Sequence, residues 1–279
     1  MQKFVEQKFI GERAMFGAKD AEFERCGFAE GESPLKHGQN LRLKNCTFEW
    51  KYPLWYTKNV AVEDGFLMQM ARAGIWYAQD VSFKDTLIQA PKSFRRCQNV
   101  RLENVNLTQA EETLWGCEDV EIKNVCARGD YFAINCENVR VYGLNLDGNY
   151  SFDGCKNLLV EDSKLLSKDA FWNCENVTVR NSFISGEYLA WNSKNVTFEN
   201  CVIESLQGLC YVQNLVLRGC QTLDTTLAFE YSSVDAEILG GIASVKNPLS
   251  GVIRAQEIGE IIMQKECIDL AATRIILEK

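Results

Sequence analysis

The chain has 279 residues, 46% of them hydrophobic, and carries 30 basic against 38 acidic residues for a net charge of −8. That is enough apolar material for one large domain or two modest ones, and an acidic chain without a Lys/Arg cluster argues against a partner of duplex nucleic acid. No apolar run is long enough to span a bilayer, and twelve Cys without a CxxC pair, beside a single His, argue against zinc sites of the usual spacing.

The first stretch, MQKFVEQKFIGERAMF, breaks its apolar residues with charges every two or three positions. It is unlike a secretory signal, so a cytoplasmic protein without a membrane partner is expected. Residues 1–14 read as an N-terminal cap. From 15 to 232 the chain repeats. Aligning on the Asn or Asp before an apolar pair gives Asp20, Asn40, Asn59, Asp80, Asn99, Asp119, Asn138, Asn157, Asn176, Asn195 and Asn214, at spacings of 19 to 21 residues. Self-similarity at this period means a solenoid.

Each column of the alignment has a physical reading. One and three residues after the anchor the chain is almost always apolar, as in Val60 and Val62 or Val177 and Val179. That alternation is the inner face of a short strand. Five after it stand Asn, Asp or Gly, Arg25 excepted, types that suit the left-handed backbone of a sharp turn. Four after it the sign alternates, as in Glu161, Arg180, Glu199 and Arg218, with one neutral break at Tyr142. Opposite charges attract across stacked strands, so this column implies that successive repeats lie directly on one another. Two before the anchor, Cys97, Cys117, Cys136, Cys155 and Cys174 form a ladder of small hydrophobes pointing inward. Residues 233–279 read as irregular C-terminal rungs and a cap. The expected fold is an all-β, right-handed parallel β-helix of about twelve rungs, forming a single domain over 1–279.

Three stretches, GERAMF (11–16), GESPLKH (31–37) and WKYPLWY (50–56), resemble a bacterial family of unknown function, DUF3737, within the pectin-lyase-like right-handed β-helix superfold. The family resemblance implies no activity. The superfold implies only an analogy, polysaccharide binding or cleavage on the outer face of one sheet, and assigns no residue here.

The outer surface is unusual in one column. Five before the anchor the residues are apolar, so the next should point out. That next column is Lys36, Trp55, Trp76, Arg95, Trp115, Ile134, Asp153, Trp172, Trp191 and Cys210, which holds five of the six Trp. Two constellations follow. The first gathers Glu12, Arg13, Glu32, Lys36, His37, Tyr52, Trp55, Tyr56, Arg72, Trp76, Tyr77 and Arg95. Here Lys36, Arg72 and Arg95 would hold an anionic group. His37 is the natural general acid or base, with Glu32 beside it. Arg13, Tyr52, Trp55, Tyr56, Trp76, Tyr77, Trp115, Trp172 and Trp191 would contact the ligand. The second, around Asp130, Asp153 and Asp169, would supply paired carboxylates for acid and base work on a glycosidic bond. Both point to a carbohydrate-active protein, a saccharide hydrolase, lyase or isomerase, with a groove on a Trp-bearing sheet. The ligand would be a small or acidic saccharide, with no cofactor and no metal. The alternative is a non-catalytic binding, scaffold or oligomerisation β-helix, using the same stripe to join copies of the chain.

Overall fold

The computed structural model describes residues 1–278. It comprises two units, Met1–Asn145 and Leu146–Lys279. All regular structure is β apart from one short 3-10 turn at Gln69–Ala71. No helix among the described residues is long and apolar enough to cross a membrane.

In the first unit each rung up to residue 107 carries a long and a short strand, and the next runs as one strand, Glu118–Arg128. The long ones are Lys19–Glu24, Gln39–Lys44, Lys58–Glu63, Gln79–Lys84 and Gln98–Glu103; the short ones include Gly27–Phe28, Thr47–Phe48, Phe66–Leu67 and Leu87–Ile88. Pairing is parallel and in register, with Leu41 opposite Val60 and Leu43 opposite Val62, then Val81 opposite Val100. The alternation seen in the sequence becomes an alternation of burial, since Leu41, Leu43, Val60 and Val62 are each about 1% exposed. Enclosing such a side chain stabilises the fold by roughly 1.5–3 kcal/mol.

Long and short strands are separated where the sequence places its turn column. Arg25, Asn45, Asp64 and Asp85 all have φ near +50°, and Arg25, the odd residue type there, is held by Glu6 and Glu24. The anchor column is also left-handed, from Asp20 (φ 50°) through Asn59 (53°) to Asn214 (60°). This explains its residue type. Asn and Asp tolerate that backbone, and their side chains then bond from rung to rung, as Asn40 Nδ2 does to Asp20 Oδ1 at 2.9 Å.

The N-terminal segment is itself a rung. Gln2–Val5 pairs in register with Ala21–Glu24 and Lys8–Phe9 with Gly27–Phe28, while Phe4 stacks on Phe23 with centroids 4.9 Å apart. The chain makes about 15 turns rather than twelve, because this first rung and those after residue 232 lack the Asn anchor used to count them.

In the second unit Lys156–Glu161, Glu175–Arg180, Lys194–Glu199 and Gln213–Thr226 repeat the same long-strand pattern. Ser233–Ile238, Ser250–Ala255 and Thr273–Leu277 continue it, so the region expected to be irregular is largely strand. Arg180 lies 3.6 Å from Glu161 and 2.6 Å from Glu199, as the alternating column requires. The cysteines of the ladder are interior thiols that bond to backbone, as Cys174 Sγ does to Phe152 O at 2.9 Å. All twelve are free.

Candidate functional site

The Trp column of the first unit is positioned by the buried residue before it. Leu35, Leu54, Ile75, Phe94 and Leu114 are fully enclosed, so Lys36, Trp55, Trp76, Arg95 and Trp115 stand half-exposed. They do not lie on a sheet, as the sequence suggests. They belong to turns, with β-bridges only from Arg95 to Trp76 and Trp115, because left-handed residues recur too closely for a strand to run: Tyr52 and Tyr56 flank Trp55, and Ala73 and Tyr77 flank Trp76.

The column packs as a ladder. Trp55 and Trp76 stack with centroids 5.1 Å apart and planes 9° off parallel. Lys36 Nζ sits 5.6 Å from the Trp55 centroid. The Arg95 guanidinium lies between Trp76, at 4.8 Å, and Trp115, at 5.1 Å. Cation–π contacts of this kind contribute about 0.5–2 kcal/mol. The indole N–H of Trp76 donates to Lys92 O at 2.8 Å, and that of Trp55 to Ala73 O at 2.5 Å. The ring faces are therefore covered by neighbours. Tyr52 also packs on Trp55, at 4.5 Å.

A second ladder runs beside the first. His37 stacks on Tyr56 at 5.2 Å and Tyr56 on Tyr77 at 5.0 Å, while Phe16 meets His37 edge-on. All of these rings are exposed. His37, Tyr56 and Tyr77 have φ of 62°, 56° and 56°. Each donates its N–H to the carbonyl of the Trp column in the next rung, His37 to Trp55 and Tyr56 to Trp76. Gly38 fixes the turn after His37, since a Cβ there would lie 2.9 Å from Leu35 O.

The structure gathers the aromatic residues of the first constellation more closely than the charged ones. The Glu32 carboxylate pairs with Lys51 at 3.2 Å rather than with His37. Arg13 pairs with Glu12 and lies over Phe16. Arg72 is exposed. Arg95 bonds Glu112 at 2.7 Å, and Lys92 reaches the same carboxylate at 2.9 Å. The Lys92 bond, followed by Arg95, holds Glu112 below the ordinary carboxylate range. Glu112 and Lys92 share one column, seven residues before Asp119 and Asn99, and neither belongs to the two constellations, because that column holds no consistent residue type. Trp115 closes this ladder, with Tyr131 tilted at 6.5 Å.

Of the second constellation, Asp130 lies in the first unit, and Asp153 and Asp169 lie in the second. Asp169 is only 5% exposed. Burial raises its pKa, Lys168 opposes the shift, and Glu187 and Asp153 add to it. Asp153 accepts from Asn173 at 3.1 Å. Trp172 is half-buried; Trp191 donates to Gln207 O at 2.5 Å and packs between Tyr188 and Tyr211. Ile134 and Cys210, expected outward in this column, are buried. Burial pushes the Cys174 thiol up to about 12 and the Cys46 thiol to about 11, which disfavours the reactive thiolate. Among the described residues no group of three His, Cys, Asp or Glu side chains is placed to hold a metal.

One family model matches residues 2–276. Among solved structures, the chain is similar to the Streptococcus pneumoniae surface protein and adhesin PfbA, at 10% identity and a TM-score of 0.29, over 93% of this chain and 77% of that one. The Azotobacter vinelandii mannuronan C-5 epimerase AlgE4 A-module is 12% identical with a TM-score of 0.29, over 99% and 89%. QnrB1, a plasmid-mediated fluoroquinolone resistance protein, is 15% identical with a TM-score of 0.23, over 80% and 92%. At these values none of them says what this chain does. No curated protein matches it.

Proposed function

The chain belongs to the family described as protein of unknown function (DUF3737), which supplies no activity, and from its surface we propose that it is a saccharide-binding solenoid whose first unit holds a short acidic sugar on the paired ring ladders. One observation carries this reading. Lys36 Nζ lies over both ladders at once, 5.6 Å from the Trp55 centroid and 5.4 Å from that of Tyr56. Stacked rings cover each other's faces and leave their edges to the ligand. Those edges are the positive rim of the ring quadrupole, and the tyrosines add phenol donors. With Lys36 beside them, they favour a carboxylate-bearing saccharide.

Binding, rather than turnover, is what the geometry supports. His37 is bordered by the rings of Phe16 and Tyr56, and the Glu32 carboxylate is engaged by Lys51. A hydrolase or lyase needs two titratable groups converging on the scissile bond. Titration calorimetry with digalacturonate tests the reading. Tyr56→Ala with Tyr77→Ala should weaken binding at least tenfold, and unchanged affinity in a folded double variant would overturn it. Product release from digalacturonate by the wild type, abolished in His37→Ala, would replace binding by catalysis.

A further inference from the structure

The outer face of the long-strand sheet in the first unit carries a second feature, independent of the aromatic ladders. Its anchor residues, Asp20, Asn40, Asn59, Asp80, Asn99, Asp119 and Asn138, bond side chain to side chain. Asn40 donates to Asp20 at 2.9 Å, Asn59 to Asn40 at 2.9 Å, Asn99 to Asp80 at 2.7 Å and Asn138 to Asp119 at 3.0 Å. An Asn offers one donor and one acceptor along the stack, whereas an ionised Asp offers acceptors alone. Two amides between Asp20 and Asp80 cannot supply three steps with a donor, and one amide between Asp80 and Asp119 cannot supply two. One acceptor-to-acceptor step per run is unavoidable, whichever way the amides are turned. Here the two steps are Asn59 to Asp80 and Asn99 to Asp119. In the second unit the column is all Asn, and Asn176, Asn195 and Asn214 each donate to the residue below.

The surface is hollow at both unmade steps. A depression of about 320 Å³ is lined by Asn59, Asp80, Val81, Ser82, Asn99 and Arg101. Another of about 230 Å³ shares Asn99 and Arg101 and adds Asp119, Val120, Glu121, Asn138 and Arg140. Strand register explains the first hollow in part: Ser82 stands between Ala61 and Arg101, so a small side chain floors it. Arg140 makes no ion pair among the described residues, and Arg101 makes one long one, to Glu121 at 3.8 Å. The acidic groups are partly answered, since Asp80 and Asp119 each accept an amide from the rung above. The steps recur every second rung, roughly 10 Å apart from the ~4.8 Å strand spacing.

We propose that these two acceptor steps are hydroxyl-binding subsites for an extended oligosaccharide lying along the stacking direction, with Arg101 and Arg140 taking its carboxylates. A sugar hydroxyl donates where no protein group can, and the repeat of subsites matches a repeating ligand. The inference rests on the reading that the ligand is a saccharide, but it places a longer one on a different face.

The test uses hexagalacturonate in the Tyr56→Ala/Tyr77→Ala background, where the ring-ladder site is removed. The hexamer should still bind. Adding Asp80→Asn and Asp119→Asn supplies the missing donors, so the protein should melt no lower than its parent while hexamer affinity falls at least tenfold. Adding Arg101→Gln and Arg140→Gln instead should weaken hexagalacturonate but leave cellohexaose unchanged. Undiminished hexamer affinity in the Asp→Asn variant would overturn the proposal. So would loss of all hexamer binding in the Tyr background, which would assign the ligand to the ring ladders alone. Failure of wild-type protein to bind digalacturonate, with hexamer binding kept, would instead remove the ring-ladder reading and leave the trough.

Discussion

Asp169 and Glu112 are carboxylates pushed in opposite directions, and their pH signatures should be opposite. Burial raises Asp169, so its ionised form opposes folding. The penalty is absent below the unfolded value of about 3.9 and complete above the folded one. Asp169→Asn should therefore raise the melting temperature at pH 7 and not at pH 3. Glu112 is lowered by its bond to Lys92 and then by Arg95, so its contribution is present above the unfolded value of about 4.3 and lost as pH falls through the folded one. Glu112→Gln should cost stability at pH 7, and the difference from wild type should shrink in acid. A melting series from pH 3 to 8 reads both. Cysteine exposure makes a further prediction. Only Cys126 and Cys267 are exposed, so a thiol reagent should label two equivalents in the native protein and the other ten after denaturation. Rapid labelling of more than two would contradict the interior ladder.

Within one rung the anchor residue has two jobs, a left-handed backbone and a rung-to-rung amide bond. Asn195 has φ 55°, donates to Asn176 at 2.9 Å and accepts from Asn214 at 2.9 Å. Asn195→Ala should cost about 2 kcal/mol or more, summing left-handed strain of roughly 1–2 kcal/mol with the lost bonds. Asn195→Gly removes the strain and should cost less, and equal losses in chemical denaturation would refute this division of roles. The inner columns, the turn column and the alternating charges were all legible in the sequence, because each is a repeated demand on one residue type. The handing of Arg95 from Trp76 to Trp115 was not. Nor was the engagement of Glu32 by Lys51, since neither contact recurs from rung to rung. That residues 1–14 include a rung was hidden for a related reason: Gln2 pairs with Ala21, at a position where the periodic pattern calls for an apolar residue.

Across the molecule, what the sequence showed least was relief. It marked the aromatic column, whose residues are large and rare, but not the trough over Ser82, which is made by a small side chain and by a donor that is missing. A surface built from identical rungs gains its individuality where a column is interrupted, and an interruption is visible only once the column is known. The alternating charges carry a different lesson. Because Glu161 is followed upward by Arg180, then Glu199, then Arg218, the chain counts its rungs in pairs. Excising residues 175–193 would join Cys174 to Lys194 with every inner column in step, yet set Glu161 against Glu199. Excising residues 175–212 would remove twice as much protein and set Glu161 against Arg218. The larger excision should give the protein whose melting is less sensitive to salt, and the shorter one a protein that salt stabilises. Between Glu161 and Arg218 the smallest length that can be removed or duplicated without electrical penalty is two turns, a parity rule written in one column of surface charge.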